Sequence, residues 1–396
     1  MTVTLKIEKT VYGGDGLGRL NDGRVCFVAG AFAGETVRAS IFDQRKSFVR
    51  AKFEELVEPS PDRVDPGVTV PGMVYAPISY AAELRAKEDQ LGNFLGHVGV
   101  SYTRIQVVAG RSANYRSKVT YHVQNVGGKW LVGYRGEKSH DVVDVPDDPL
   151  ACPEINASLP SIRSGVTALL TQGAKRVRAS ARAAETLVVR YTKVDGVKWW
   201  LGDPPAGMRL TETVAGMKFQ VQADGFFQVN TAIAEMLVIA VRDAIRAGTD
   251  VASNITDLYC GVGVFGLASF SDGCRLVGVE SAHGAVECAK ANAAANGIKA
   301  NFFCERVGAS LSRIKIGART AVVVDPPRGG LEKNVPSWLA ASPAPRIFYV
   351  SCDPATLVRD LQPMLRSYRV AGVKLFDMFP RTARFETLVE LERVGK

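Results

Sequence analysis

Cys352 is the residue with the most chemistry open to it. It sits in segment 347–354, Ile-Phe-Tyr-Val-Ser-Cys-Asp-Pro, whose apolar, aromatic-rich first half reads as a buried strand. Ser351, Cys352 and Asp353 fall at the strand's end, and Pro354 suits the first turn of a following helix, which 356–366 continue with helix-forming residues. A thiol there can act as a nucleophile, because flanking groups and a helix N-terminus lower its pKa. A free cysteine is more commonly a small buried hydrophobe, so the reading rests on what surrounds it. Such a nucleophile needs a base. Glu386, which follows the segment Asp-Met-Phe-Pro-Arg-Thr-Ala-Arg-Phe at 377–385, can serve once the chain brings it back beside the sheet edge. Alone it reads as a surface glutamate.

Two more segments could hold a ligand near them. Residues 257–266, Asp-Leu-Tyr-Cys-Gly-Val-Gly-Val-Phe-Gly, place Gly261, Gly263 and Gly266 after a strand and before a helix, and Glu280 ends the next strand. Close backbone approach at the glycines and a carboxylate for ribose hydroxyls suit a nucleoside-containing cofactor. The pattern alone leaves a nicotinamide cofactor and S-adenosylmethionine both open. Asp257 at the first strand's end points to the methyl donor, whose amino group is cationic. Segment 324–330, Val-Asp-Pro-Pro-Arg-Gly-Gly, delivers Asp325 at a strand tip before a proline-stiffened loop.

These positions require a sheet whose strand ends share one edge. Residues 210–396 alternate as a doubly wound, Rossmann-like α/β domain, with strands at 254–260, 276–280, 300–304, 320–325 and 346–351. Segments 370–378 and 386–391 form a closing pair that includes an antiparallel strand. Residues 1–58 carry short alternating strands between glycine turns and read as a small β-barrel of oligonucleotide-binding type. Residues 58–62 read as a linker. Residues 67–205 read as a central α+β domain, helical over 81–95 and stranded from 111. Its stretches 111–140 and 161–190 each carry six Lys/Arg against one Glu. Mixed with Tyr115, Tyr121, Trp130 and Tyr134, these basic residues suit phosphate contact and base stacking; the solvated face of an ordinary domain is an equal reading.

The 396 residues fit two or three domains, and 46% hydrophobic with 22% charged residues is the composition of a folded soluble protein. The net charge of +9 favours a polyanionic partner. Seven cysteines without C-x-x-C spacing argue against a disulfide framework or zinc finger and fit the cytoplasm. The four histidines show no metal-ligand spacing. No signal pattern or bilayer-spanning apolar run is present, so no membrane partner is expected.

Together the glycine loop, 324–330, 351–361 and 377–386 resemble the RNA (uracil-5-)-methyltransferase family. Gln-Ala-Asp-Gly-Phe-Phe-Gln-Val-Asn at 222–230 is similar to its F-x-Q-V-N segment. The barrel, with its glycine turns at 13–18 and 29–35, resembles the TRAM domain of rRNA-modifying members, and 114–118 and 134–140 resemble the family's central domain. The resemblance implies S-adenosylmethionine as donor and C5 of a uridine as acceptor, in 23S rRNA or alternatively tRNA; a monomer is expected. It implies Cys352 as nucleophile, Glu386 as base and Asp325 as a contact to the target base. It places Gln228, Tyr259 and Glu280 at the donor, with Asp257, Gly261, Gly263 and Asp325 lining the same site. A non-catalytic RNA-binding or ribosome-assembly module is the alternative of another class. Three departures stand out. The family's iron–sulfur members carry a three-cysteine run before the central domain, but residues 70–80 contain none; Cys152 alone cannot hold a cluster that needs about four thiolates, so no cluster is expected. Val264 replaces a common asparagine, and Arg384 a common histidine.

Overall fold

The computed structural model describes residues 1–101, 105–136, 141–174, 185–247 and 252–395. Strands β1 (Thr2–Thr10), β2 (Gly16–Arg19), β3 (Val25–Ala29), β4 (Thr36–Gln44) and β5 (Phe48–Glu58) close into a barrel in the order β1-β2-β3-β5-β4. Alternation sends Leu5, Ile7, Val28, Val37, Ala39, Val49 and Ala51 inward. Gly18 is needed for closure: a Cβ there would lie 2.4 Å from the carbonyl oxygen of Lys6 on the neighbouring strand. Phe42 stands 67% exposed on the barrel, with Arg45, Lys46 and Arg50 exposed near it in sequence.

Helix α1 (Tyr80–Gly96) is capped by Ser79, whose hydroxyl accepts the Ala82 N–H. Leu91, Leu95 and Ile105 pack in the same apolar cluster as Val373 and Leu375, and β6 (Gln106–Val108) pairs in parallel with residues 374–376. Residues 80–101 and 105–108, which the sequence places in the central domain, therefore pack with the C-terminal layer. Their apolar side chains find their partners there.

The central unit comprises β7 (Lys118–Val126), β8 (Lys129–Arg135), β9 (Val142–Asp144), α2 (Pro153–Ala174), β10 (Glu185–Thr192) and β11 (Gly196–Leu201), with sheet order β11-β10-β7-β8-β9. Of the aromatic residues that suit base stacking, Tyr115 and Tyr121 are core residues, and Trp130 and Tyr134 are partly buried against the same cluster. The period of two puts Val119, Tyr121 and Val123 on the core face; Tyr121 is fully buried and Tyr115 nearly so. The Tyr121 and Tyr134 hydroxyls donate to Asp148 Oδ2 at 3.0 and 2.6 Å, and Tyr115 donates to the Pro380 carbonyl at 3.1 Å. Arg190 is likewise buried, paired with Glu212 at 2.8 Å. Lys138 and Lys175, Arg176, Arg178 and Arg182, counted among the basic residues, lie outside the described residues, as do 137–140 of the segment that resembles the central domain.

A hairpin, β12 (Arg209–Val214) and β13 (Met217–Gln222), leads into the last domain. This runs α3 (Thr231–Arg246), β14 (Asn254–Leu258), α4 (Val264–Ser269), β15 (Arg275–Glu280), α5 (His283–Ala295), β16 (Ala300–Cys304), α6 (Val307–Ser310), β17 (Thr320–Val324), α7 (Val335–Ala341), β18 (Arg346–Ser351), α8 (Pro354–Met364), β19 (Tyr368–Phe376) and β20 (Glu386–Arg393). The eight-stranded sheet has the order β16-β15-β14-β17-β18-β20-β19-β6. Strands β14 to β18 are parallel, and β20 runs antiparallel to both neighbours. Every residue of β17 is buried, as a strand covered on both faces requires. The chain leaves β14 in one direction to β15 and β16 and returns on its other side with β17. The crevice at that reversal, above the carboxyl ends of the strands, is where open α/β sheets bind ligands.

Candidate active site

Strand register brings the candidate residues to one edge. Leu258 lies opposite Val279 on one side and Val324 on the other, so Tyr259, Glu280 and Asp325 are the next residues at three adjacent tips. Val324 in turn lies opposite Tyr349. Ser351 lies opposite Thr387 across the antiparallel pair, so the following Cys352 and the preceding Glu386 emerge side by side. Sequence periodicity could locate each strand but not this register, because Glu386 enters the sheet between β18 and β19, out of chain order.

The thiol is half-buried and therefore open to a ligand. Burial pushes its pKa up to about 12, reinforced by Glu386 and Asp325, while the Arg328 guanidinium acts in the opposite sense. The lowering expected from flanking groups and a helix N-terminus is therefore outweighed by burial and the neighbouring carboxylates; Asp353, the next residue, caps α8, its Oδ1 accepting the Ala355 and Thr356 N–H groups at 3.0 and 3.2 Å. Glu386 is 3% exposed, and its Oε2 has no hydrogen-bond partner among the described residues. Burial and Asp325 raise its pKa well above the carboxylate range, again opposed by Arg328. Burial, then Asp257 and Glu280, raise Asp325 to about 7. Acids with pKa displaced towards neutrality by burial and like charge, beside a nucleophile, are what proton transfer at neutral pH requires.

The glycine loop lies across the same edge. Gly261 and Gly263 have φ of +54° and +87°, and open space surrounds the position of a Cβ on Gly261. Glu280 is held beside it: Oε2 accepts the Gly261 N–H at 3.2 Å and Oε1 the Ala282 N–H at 2.7 Å. Asp257 is fully buried under the loop: its Oδ2 accepts the Gly266 N–H at 2.8 Å, and its Oδ1 has no hydrogen-bond partner among the described residues. Tyr259 is half-buried with φ of +62°, and its hydroxyl accepts the Glu332 N–H at 3.5 Å. Val264 packs partly buried against the apolar core at the start of α4. A Cβ on Gly266 would sit 2.8 Å from Leu276 Cδ1 and 2.9 Å from Asp257 Oδ2. Gly266→Ala is therefore expected to lower the melting temperature, as overpacking costs about 1–3 kcal/mol, and to weaken S-adenosylhomocysteine binding in calorimetry.

Gln228 arrives on a loop that the central unit braces. Ser117 donates its backbone N–H to the Val229 carbonyl at 2.8 Å, and Lys118 reaches the Gly225 carbonyl at 3.4 Å. Asn230 caps α3 and also donates to the Met378 carbonyl at 3.3 Å. Gln228 Oε1 is buried without a partner among the described residues, and Phe226, two residues before it in the loop, is 76% exposed.

One positioning device has no sequence signal. Glu83 and Lys87 read as an ordinary surface pair four residues apart, yet both are fully buried with Asp377. Lys87 Nζ donates to Glu83 and to Asp377 at 2.7 Å each, and Tyr80 donates to Asp377 at 2.7 Å. Glu83 Oε1 also accepts the N–H of Arg381, whose φ is +66°. The cluster thus pins the turn that returns the chain to Glu386. Lys87→Met strips two buried carboxylates of their shared cation and is expected to cost about 3–5 kcal/mol, read as a fall in denaturation midpoint.

Among the described residues no cluster of His, Cys, Asp or Glu could hold a metal ion, and no helix is long and apolar enough to cross a membrane. Cys152 packs with Val70 and Met73 in an apolar cluster.

Comparison with known proteins places this geometry. Residues 207–394 match the model of the tRNA (uracil-5-)-methyltransferase family, and residues 1–53 match the TRAM domain. An uncharacterized RNA methyltransferase of Thermosynechococcus vestitus is 30% identical, over 98% of each chain. The 23S rRNA (uracil(1939)-C(5))-methyltransferase of Halomonas elongata is 29% identical, over 98% of this chain and 89% of that protein. The fold is that of the Pyrococcus abyssi tRNA (uracil-54, C5)-methyltransferase solved with S-adenosyl-L-homocysteine, with a TM-score of 0.77 and 22% identity over 98% of this chain and 99% of that one. With a thiol and a carboxylate paired at the crevice edge and relatives matched along its whole length, the chain belongs to the tRNA (uracil-5-)-methyltransferase family of S-adenosylmethionine-dependent RNA-modifying enzymes.

Proposed function

We propose that this enzyme methylates C5 of a uridine in 23S ribosomal RNA, with Cys352 as nucleophile and Glu386 as base. The observation that carries the reading is the register that sets Cys352 and Glu386 side by side beside Asp325 at the switch point. The Halomonas relative supports ribosomal RNA over transfer RNA. Exposed Arg45, Lys46, Arg50 and Phe42 on the barrel suit phosphate contact and base stacking.

The residues at the edge account for the chemistry. C5 of uracil is a poor nucleophile. Cys352 Sγ, as thiolate, adds to C6, and the electron pair of the C5–C6 double bond moves towards O4, leaving C5 enolate-like. S-adenosylmethionine, bound beside it, would supply the methyl group to C5, its methyl–sulfur bond breaking as S-adenosylhomocysteine leaves. Glu386 takes the C5 proton, the pair left behind restores the C5–C6 double bond, and Cys352 departs as thiolate. In this reading Asp325 contacts the base, and charge developing on O4 requires hydrogen-bond donors in a cleft that excludes water. The uridine reaches this edge only when unstacked. For the donor, the open approach at Gly261, the fixed carboxylate of Glu280 and the unpartnered Gln228 Oε1 form a fitting set.

Mass-spectrometric mapping of 5-methyluridine in cells lacking the protein tests the substrate. Loss from 23S rRNA is expected. Loss confined to tRNA would move the activity to that substrate, and no loss from either would refute methyl transfer to uridine.

A further inference from the structure

Arg384, the departure flagged in the sequence, is the centre of a contact between the barrel and the catalytic edge. Its Nη1 donates to Asp353 Oδ2 at 3.2 Å and to the hydroxyl of Tyr12 at 2.7 Å. Tyr12 lies in the turn between β1 and β2, and its own hydroxyl points at Asp353 Oδ2 at 3.4 Å. The Arg384 guanidinium lies over the Tyr12 ring, 5.6 Å from its centroid. The ring also meets Phe385 edge-on at 5.8 Å and Phe94 of α1 at 5.7 Å. The turn carrying it is seated: a Cβ on Gly14 would come within 2.9 Å of Val74.

The sequence neighbours matter more than the contacts alone. Asp353 follows the nucleophile directly and caps the helix after it. Arg384 and Phe385 precede the base directly. Tyr12 therefore touches the chain next to Cys352 and the chain next to Glu386 at once, from a different domain. We propose that the barrel is part of the catalytic apparatus, with Tyr12 as a positioning residue that, through Arg384 and Asp353, holds nucleophile and base in register. The proposal rests on the methyltransferase reading above. Burial, first, and the charge of Asp353 push the Tyr12 hydroxyl up to about 12, so it remains a donor at neutral pH.

A merely structural contact and an RNA-binding contact make different predictions. Full-length Tyr12→Phe keeps the ring packing and removes only the hydroxyl. With undermodified total RNA from cells lacking the protein as acceptor and saturating donor, kcat is expected to fall about tenfold, since small misplacements of reacting groups cost rate steeply. The KM for RNA is expected to stay within about twofold. Tyr12→Phe combined with Arg384→Gln should be no slower than the slower single variant, because both break one network. Arg384→Lys, which keeps a cation beside Asp353, should recover part of the rate lost in Arg384→Gln. An unchanged kcat in Tyr12→Phe, a loss confined to KM, or multiplicative losses in the double variant would each overturn the proposal. If Tyr12→Phe melts early, the Arg384→Lys and Arg384→Gln pair decides in the same way. Failure of the wild-type protein to methylate this RNA would instead sink the activity itself, and the inference with it.

Discussion

Cys352→Ala is expected to transfer no detectable methyl groups to RNA while binding S-adenosylhomocysteine as the wild type does. The side chain is half-exposed at the edge, so the substitution removes a reactive atom and leaves little cavity. Without addition at C6, C5 has no carbanion character, and the uncatalysed step is out of reach on a laboratory timescale. The elevated pKa of the thiol adds a signature. Only the thiolate attacks, and with the group raised to about 12 by burial, Glu386 and Asp325, its fraction rises about tenfold per pH unit below that value. In the wild type, single-turnover rates should therefore climb between about pH 6 and 9. A flat profile there would mean that thiol ionisation is not on the path to the slow step. Residual methylation by Cys352→Ala would remove the covalent mechanism altogether.

Glu386→Gln is expected to have the second largest effect, and of a different kind. The glutamine keeps the shape of a fully enclosed side chain but cannot take a proton. General bases contribute about 10²–10⁴-fold, so multiple turnover should fall by that order. In the proposed mechanism addition and methyl transfer precede the blocked step, so the variant should accumulate enzyme bound covalently to methylated RNA, visible as a slow band on a denaturing gel. The wild type should show little of it. An equal loss of rate with no accumulated adduct would place Glu386 before methyl transfer instead of after it.

The α/β alternation, the small barrel and the strand tips were legible because period-two apolar runs ending in glycine, acid or cysteine leave few other solutions. The sequence could not show why Glu386 meets Cys352. That depends on β20 inserting antiparallel between β18 and β19, a long-range choice with no local signal. Tyr121 and Arg190 misled in the opposite direction. As types they suit RNA contact, but their strand phase turns them into the core, where Asp148 and Glu212 satisfy them. Glu83 and Lys87 hid for a related reason: a salt bridge four residues apart on a helix reads as solvated until Asp377 closes over it. Arg384 was visible only as an unexpected residue. Its partners, Tyr12 and Asp353, lie 372 and 31 positions away.

Peptide mapping by mass spectrometry of Glu386→Gln, incubated with undermodified RNA and S-adenosylmethionine and then digested with nuclease and protease, addresses the pairing of thiol and acid most directly. The peptide containing Cys352 should carry a single 5-methylated uridine nucleotide. An adduct on any of the other six cysteines, or a trapped nucleotide without the methyl group, would contradict the account.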